Sequence, residues 1–103
     1  MTEIDVTDQN AATVHVGDTL VLRLAETPST GFTWTIDVTG TAIELASDTR
    51  TANPDPRPGA PGQRVFVLNA TAPGHADVSA TLARPWEPVS VSETRHLHVA
   101  VQP

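Results

Sequence analysis

Ser29 and Thr30 stand between Pro28 and Gly31, in the stretch Thr27-Pro28-Ser29-Thr30-Gly31-Phe32-Thr33-Trp34. Two hydroxyls in a constrained turn suit one of two chemistries, nucleophilic attack or recognition. A hydroxyl nucleophile needs a base within hydrogen-bond reach and a third group to orient that base. The sequence around Ser29 shows no such base, which leaves recognition. Pro28 fixes its own φ and pushes Thr27 into an extended conformation. Gly31 permits a left-handed or otherwise tight bend that a residue with a Cβ adopts only at a cost. Between them the Ser29 and Thr30 hydroxyls can bond local backbone and stiffen the turn. The expected result is a rigid, narrow-tipped wedge. Phe32 and Trp34 alternate with Thr33, so the wedge is rooted directly in a strand.

Two further stretches carry recognition chemistry. Pro58-Gly59-Ala60-Pro61-Gly62 presents backbone rather than side chains: Gly59 and Gly62 let another chain approach closely. In Arg84-Pro85-Trp86-Glu87-Pro88, Trp and Arg are the types most enriched at interface hot spots. The prolines beside them reduce the entropy lost on binding. Plainer readings exist for all three: a rigid connection, a surface excursion, and a tryptophan folded back over the end of the domain.

Catalytic and metal chemistry find little support. His96 and His98 lie two apart on a strand and so share a face, but a catalytic zinc takes three protein ligands. Alternation puts Glu93 on the opposite face, and His15 and His75 have no evident partner. The carboxylates are dispersed, with no calcium loop and no paired-carboxylate site. Neither an enzyme nor a metal or cofactor site is expected.

Composition narrows the classes further. The chain of 103 residues has no cysteine, so disulfides, thiolate metal sites and a Cys nucleophile are excluded. Its length is that of one domain, 1–103, with a modest core. The formal charge is -6 and lysine is absent, which argues against a phosphate-backbone partner. No apolar run approaches the roughly 20 residues of a membrane span. The N-terminus lacks the basic and apolar regions of a signal peptide. The chain as it stands reads as cytoplasmic, or as secreted or periplasmic if a precursor segment is removed. A monomer is expected.

The elements that must position these residues are strands. Alternation marks 3–7, 12–16, 19–25, 33–38, 42–47, 63–71, 76–83 and 93–101. The clearest is 19–25, with Leu20, Leu22 and Leu24 on one face. The strand at 63–71 is apolar on both faces and therefore central. Helical periodicity is missing. About seven short strands at about 8–12-residue spacing predict an all-β, immunoglobulin-like antiparallel sandwich. Connections alternate along the chain: short at 17–18, 39–41 and 72–75, long and proline-rich at 26–32, 48–62 and 84–92. Successive strands reverse direction, so the three long loops are expected together at one end.

Those loops, in order, resemble the signature loops of the chagasin-type inhibitors of cysteine peptidases, family I42. The family pattern is Asn-Pro-Thr-Thr-Gly-Tyr/Phe, then Gly-x-Gly-Gly, then Arg-Pro-Trp/Phe. Pro28, Thr30, Gly31 and Phe32 match the first, with Ser29 in place of a Thr. Gly59, Ala60 and Gly62 match the second, and Arg84, Pro85 and Trp86 the third. Thr27 stands in place of the family Asn, and Pro61 in place of a Gly. The resemblance implies a tight, reversible, non-covalent inhibitor of papain-like peptidases of papain or cathepsin type. The first loop would enter the active-site cleft, with Ser29 nearest the catalytic cysteine. Trp86, with Arg84 beside it, would pack on the primed side, and the second loop would line the other wall. The competing reading is an immunoglobulin-like adhesion or carbohydrate-binding module that uses the same loops.

Overall fold

The computed structural model describes residues 2–26, 31–51, 62–84, 86–87 and 91–103. Eight strands form in chain order among them: β1 (Glu3–Asp5), β2 (Ala11–His15), β3 (Thr19–Glu26), β4 (Thr33–Thr39), β5 (Ile43–Thr51), β6 (Gly62–Ala70), β7 (Gly74–Ala83) and β8 (Glu93–Gln102). They make two four-stranded sheets, β1-β3-β6-β5 and β2-β8-β7-β4. No helix occurs among the described residues.

Period-two patterning builds the core between the sheets. Leu20, Leu22 and Leu24 of β3 point inward beside Phe66, Leu68 and Ala70 of β6. Trp34, Val78, Ala80, Leu97, Val99 and Val101 face them from the second sheet. The Trp34 indole N–H donates to the Ala25 carbonyl oxygen at 2.9 Å, which satisfies a polar group that burial would otherwise orphan. β6 lies between β3 and β5, as its two apolar faces predict.

Eight strands form among the described residues, one for each run that alternation marks. Two features differ from expectation. Two of the pairings are parallel, β1 with β3 and β2 with β8; strands that run in the same sense meet where short N-terminal strands join the sheets. β5 also runs on to Thr51 and β6 begins at Gly62, so ordered ladder covers ground expected to be loop from Asp48. A bulge between Leu45 and Ser47 shifts the register, after which Asp48 to Thr51 pair with Phe66 to Gln63.

Register fixes the placement of the long connections. In the first sheet Glu26 pairs with Gly62 and Thr51 with Gln63. In the second Thr33 pairs with Ala83 and Leu82 with Glu93. The β3–β4, β5–β6 and β7–β8 connections therefore leave from one pole of the sandwich. The first crosses between sheets, and the other two are hairpin connections within one sheet each.

Candidate functional site

The site is built at that pole, and its described part begins with Gly31. Its φ of +78° lies in the left-handed region, where a Cβ is strained. A second constraint acts at the same atom. A Cβ on Gly31 would stand 2.5 Å from Cη2 of Trp86 and 3.0 Å from Cζ2. The glycine thus makes room for the edge of an indole from the third connection. Trp86 lies against the first connection yet stays 66% exposed, a large apolar surface on display where most of a tryptophan would normally be covered.

A second contact joins the same two connections. The Arg84 guanidinium lies 4.5 Å from the centroid of the Phe32 ring, within cation–π range. Glu87 orients it from behind: its Oε2 is 3.6 Å from Arg84 Nη1. The Glu87 N–H donates to the Arg84 carbonyl oxygen at 3.0 Å and closes a turn that carries Trp86. This ion pair is solvated and contributes little stability; its effect is orientation. At the far side of the third connection the Ser92 N–H donates to the Leu82 carbonyl oxygen at 2.8 Å. Val91 beside it is 53% exposed and adds a second apolar surface there. Alternation could not single out Val91, which follows the loop prolines and precedes the strand.

Beneath the first two connections lies an ionic layer that sequence reasoning missed. Glu26, the last residue of β3, is buried at 3% exposure. Its Oε2 accepts the Trp34 N–H at 2.9 Å and pairs with Arg64 Nη1 at 3.1 Å. Its Oε1 pairs with Arg50 Nε at 2.9 Å. Arg64 also forks onto the Asp48 carboxylate, with Nη2 to Oδ2 at 2.7 Å and Nε to Oδ1. The same guanidinium lies 5.2 Å from the Phe66 ring centroid.

The hydrogen bond from Arg64 holds the Asp48 carboxyl below its ordinary value of 3.8, outweighing the opposing effect of burial. A depressed folded-state value adds stability above the unfolded value and loses it as pH falls through the folded one. Asp48→Asn is therefore expected to melt lower than the parent at pH 7. The gap should close as pH is taken below 3.8, in thermal melts across a pH series. A gap that persists unchanged into acid would contradict this role of the pair.

Of the residues expected at the site, Gly31, Phe32, Arg84 and Trp86 come together. Gly62 is the first residue of β6, opposite Glu26, and has no positive φ; it ends the second connection rather than shaping its tip. Pro28, Ser29, Thr30, Gly59, Ala60, Pro61 and Pro85 lie outside the described residues. His96 and His98 part company at the side-chain level. His96 Nδ1 is 3.1 Å from Ser79 Oγ, whereas His98 stacks on His75 and bonds Asp77. Among the described residues no group of three or more His, Asp or Glu is arranged to hold a metal ion.

Residues 13–101 match the model of the chagasin family of peptidase inhibitors, I42. Amoebiasin-2 of Entamoeba histolytica is 31% identical over 83 residues, which cover 77% of this chain and 68% of that protein. The crystal structure of the cysteine protease inhibitor EhICP2 from Entamoeba histolytica superposes with a TM-score of 0.86 at 27% identity, covering 99% of this chain and 97% of that one. PbICP-C, solved in complex with falcipain-2, shares the fold, with a TM-score of 0.70 at 18% identity over 99% of this chain and all (100%) of that one.

Proposed function

This chain belongs to the chagasin family of peptidase inhibitors, I42, and we propose that it blocks the active-site cleft of papain-like cysteine peptidases with three loops. It is an inhibitor of cysteine peptidases and not an enzyme. The first loop, with Pro28, Ser29, Thr30 and Gly31 at its tip and Phe32 at its base, fills the cleft beside the catalytic cysteine. Arg84, Pro85 and Trp86 engage the primed side. Gly59, Ala60, Pro61 and Gly62 line the opposite wall.

One observation supports this reading above the rest: the first and third connections touch. The Trp86 indole edge occupies the space a Gly31 side chain would take, and Arg84 sits over Phe32. Two segments in contact at one pole form one continuous edge, which a single groove can receive. The pairing of Glu26 with Gly62 brings the second connection to the same pole.

Inhibition without cleavage follows from stiffness. Attack by a thiolate requires a carbonyl carbon at near-attack distance and angle, and a displacement of about 1 Å can cost about 10²-fold in rate. A wedge braced by Pro28 and Gly31 and held through Phe32 fills the cleft without relaxing into that geometry. The affinity comes from a pre-ordered surface, which lowers the entropy lost on association.

Incubation with papain or a cathepsin tests the reading. The expected result is loss of peptidase activity at one inhibitor per enzyme, with activity recovered on dilution and the inhibitor intact by mass. Full activity at micromolar inhibitor, or progressive cleavage within 27–32, would overturn it.

A further inference from the structure

The inward stripe of β3 runs Leu20, Leu22, Leu24 and then Glu26. Alternation calls for a fourth apolar residue, and the position is indeed buried. Taking a carboxylate out of water costs several kcal/mol even after relaxation, and well-packed apolar replacements of buried ion pairs are often neutral or stabilising. Stability alone therefore gives little reason for a glutamate here. What an apolar side chain cannot supply is direction: apolar burial scales with area and is indifferent to orientation, whereas ion-paired hydrogen bonds fix distance and angle.

The partners of Glu26 come from three strands and both sheets. Trp34, at the return of the first connection, gives a backbone N–H on the side of β4 that faces away from its pairing strand, β7. Arg50 is the penultimate residue of β5, just before the second connection. Arg64 is the third residue of β6, just after it. Arg64 carries the tie back across the hairpin to Asp48 on β5. The inner face thus changes from hydrocarbon to an ion layer directly under the roots of two loops. The layer holds Glu26 and Asp48 against Arg50 and Arg64.

We infer that Glu26 is a positioning residue for peptidase binding: through Arg50 and Arg64 it sets the second loop relative to the first. This inference rests on the proposed function. Its role is separable from that of a general stabiliser, because the two ends of the carboxylate do different things. An amide at this position still accepts the Trp34 N–H but loses the charge that draws in both arginines.

The test is a pair of measurements of the inhibition constant against papain. Glu26→Gln is compared with the parent, first in the full chain and then in a chain whose residues 52–61 are replaced by a single Asn, so that Asn and Gly62 form a two-residue Asn-Gly turn between the paired Thr51 and Gln63. In the full chain Glu26→Gln is expected to weaken inhibition about tenfold, the scale of one charge-assisted contact. With the second loop replaced, the same change should move inhibition by less than about twofold, the additivity limit for uncoupled sites. Arg50→Gln, at a side chain 58% exposed, should reproduce the full-chain loss without disturbing the core, and so serves if Glu26→Gln folds poorly. Equal losses in both backgrounds would show a merely structural role and overturn the inference. So would a Glu26→Gln or Arg50→Gln chain that inhibits as well as the parent. A parent that inhibits no papain-like peptidase would overturn the proposed function and this inference together, and is read from the parent alone.

Discussion

Trp86→Ala is expected to weaken inhibition of a papain-like peptidase by about 2 kcal/mol or more, roughly 30-fold, with the melting temperature unchanged. The size of the effect follows from where the indole stands. It is 66% exposed in the free protein, so most of its area is still available to be buried on binding, and aromatic side chains dominate interface energies when they are buried. It is also already placed. It is carried on the turn closed by Glu87 N–H on Arg84 O, and its edge lies along Gly31. Little rotamer freedom remains to be lost on association. The unchanged melting temperature follows from the same exposure, since the core of Phe66, Leu20 and Leu68 does not include Trp86. An unchanged inhibition constant alongside an unchanged melting temperature would remove Trp86 from the binding surface. Inhibition constants and thermal melts of the two proteins settle it.

Gly31→Ala is expected to weaken inhibition by about tenfold or more, partly through Trp86. The alanine Cβ would be strained at a φ of +78°, by about 1–2 kcal/mol. It would also stand 2.5 Å from Trp86 Cη2, a separation that real side chains do not tolerate. Trp86 is an exposed loop side chain and can swing aside, so the strain relaxes by parting the first loop from the third rather than by unfolding the sandwich. A double-mutant cycle reads this directly. Gly31→Ala with Trp86→Ala should lose less than the sum of the two single losses, because the second change removes the atom the first one strikes. Strict additivity would mean that the contact does nothing for binding.

The three-loop pole was legible in the sequence because it follows from counting. Strands reverse at each connection, the turn residues mark which connections are short, and the long ones fall on every second reversal. Gly31 was legible for its backbone, since Pro-Ser-Thr-Gly leaves only the glycine free to bend. Its second role, as room for an indole, was not, because Trp86 lies far along the chain and packing partners leave no local pattern. The Glu26 layer was hidden for the same reason: Arg64 is 38 positions from Glu26. A glutamate at the end of a strand looks like an exposed terminus until its partners are known. The extension of β5 to Thr51 was masked by composition. Asp48 and Arg50 read as loop residues, and only pairing with β6 and with their counter-ions, Arg64 and Glu26, makes them strand. Edge pairings that run parallel were likewise invisible, since a period of two carries no information about the direction of a neighbour.

The central claim is that the three loops occupy the peptidase's own substrate-binding cleft. It is tested most directly by the inhibition of papain, or of a cathepsin, as a function of peptide-substrate concentration. Occupation of the cleft predicts competition: the apparent inhibition constant rises linearly with substrate, and its intercept is the true constant. An apparent constant independent of substrate would place the inhibitor elsewhere on the enzyme and contradict the account.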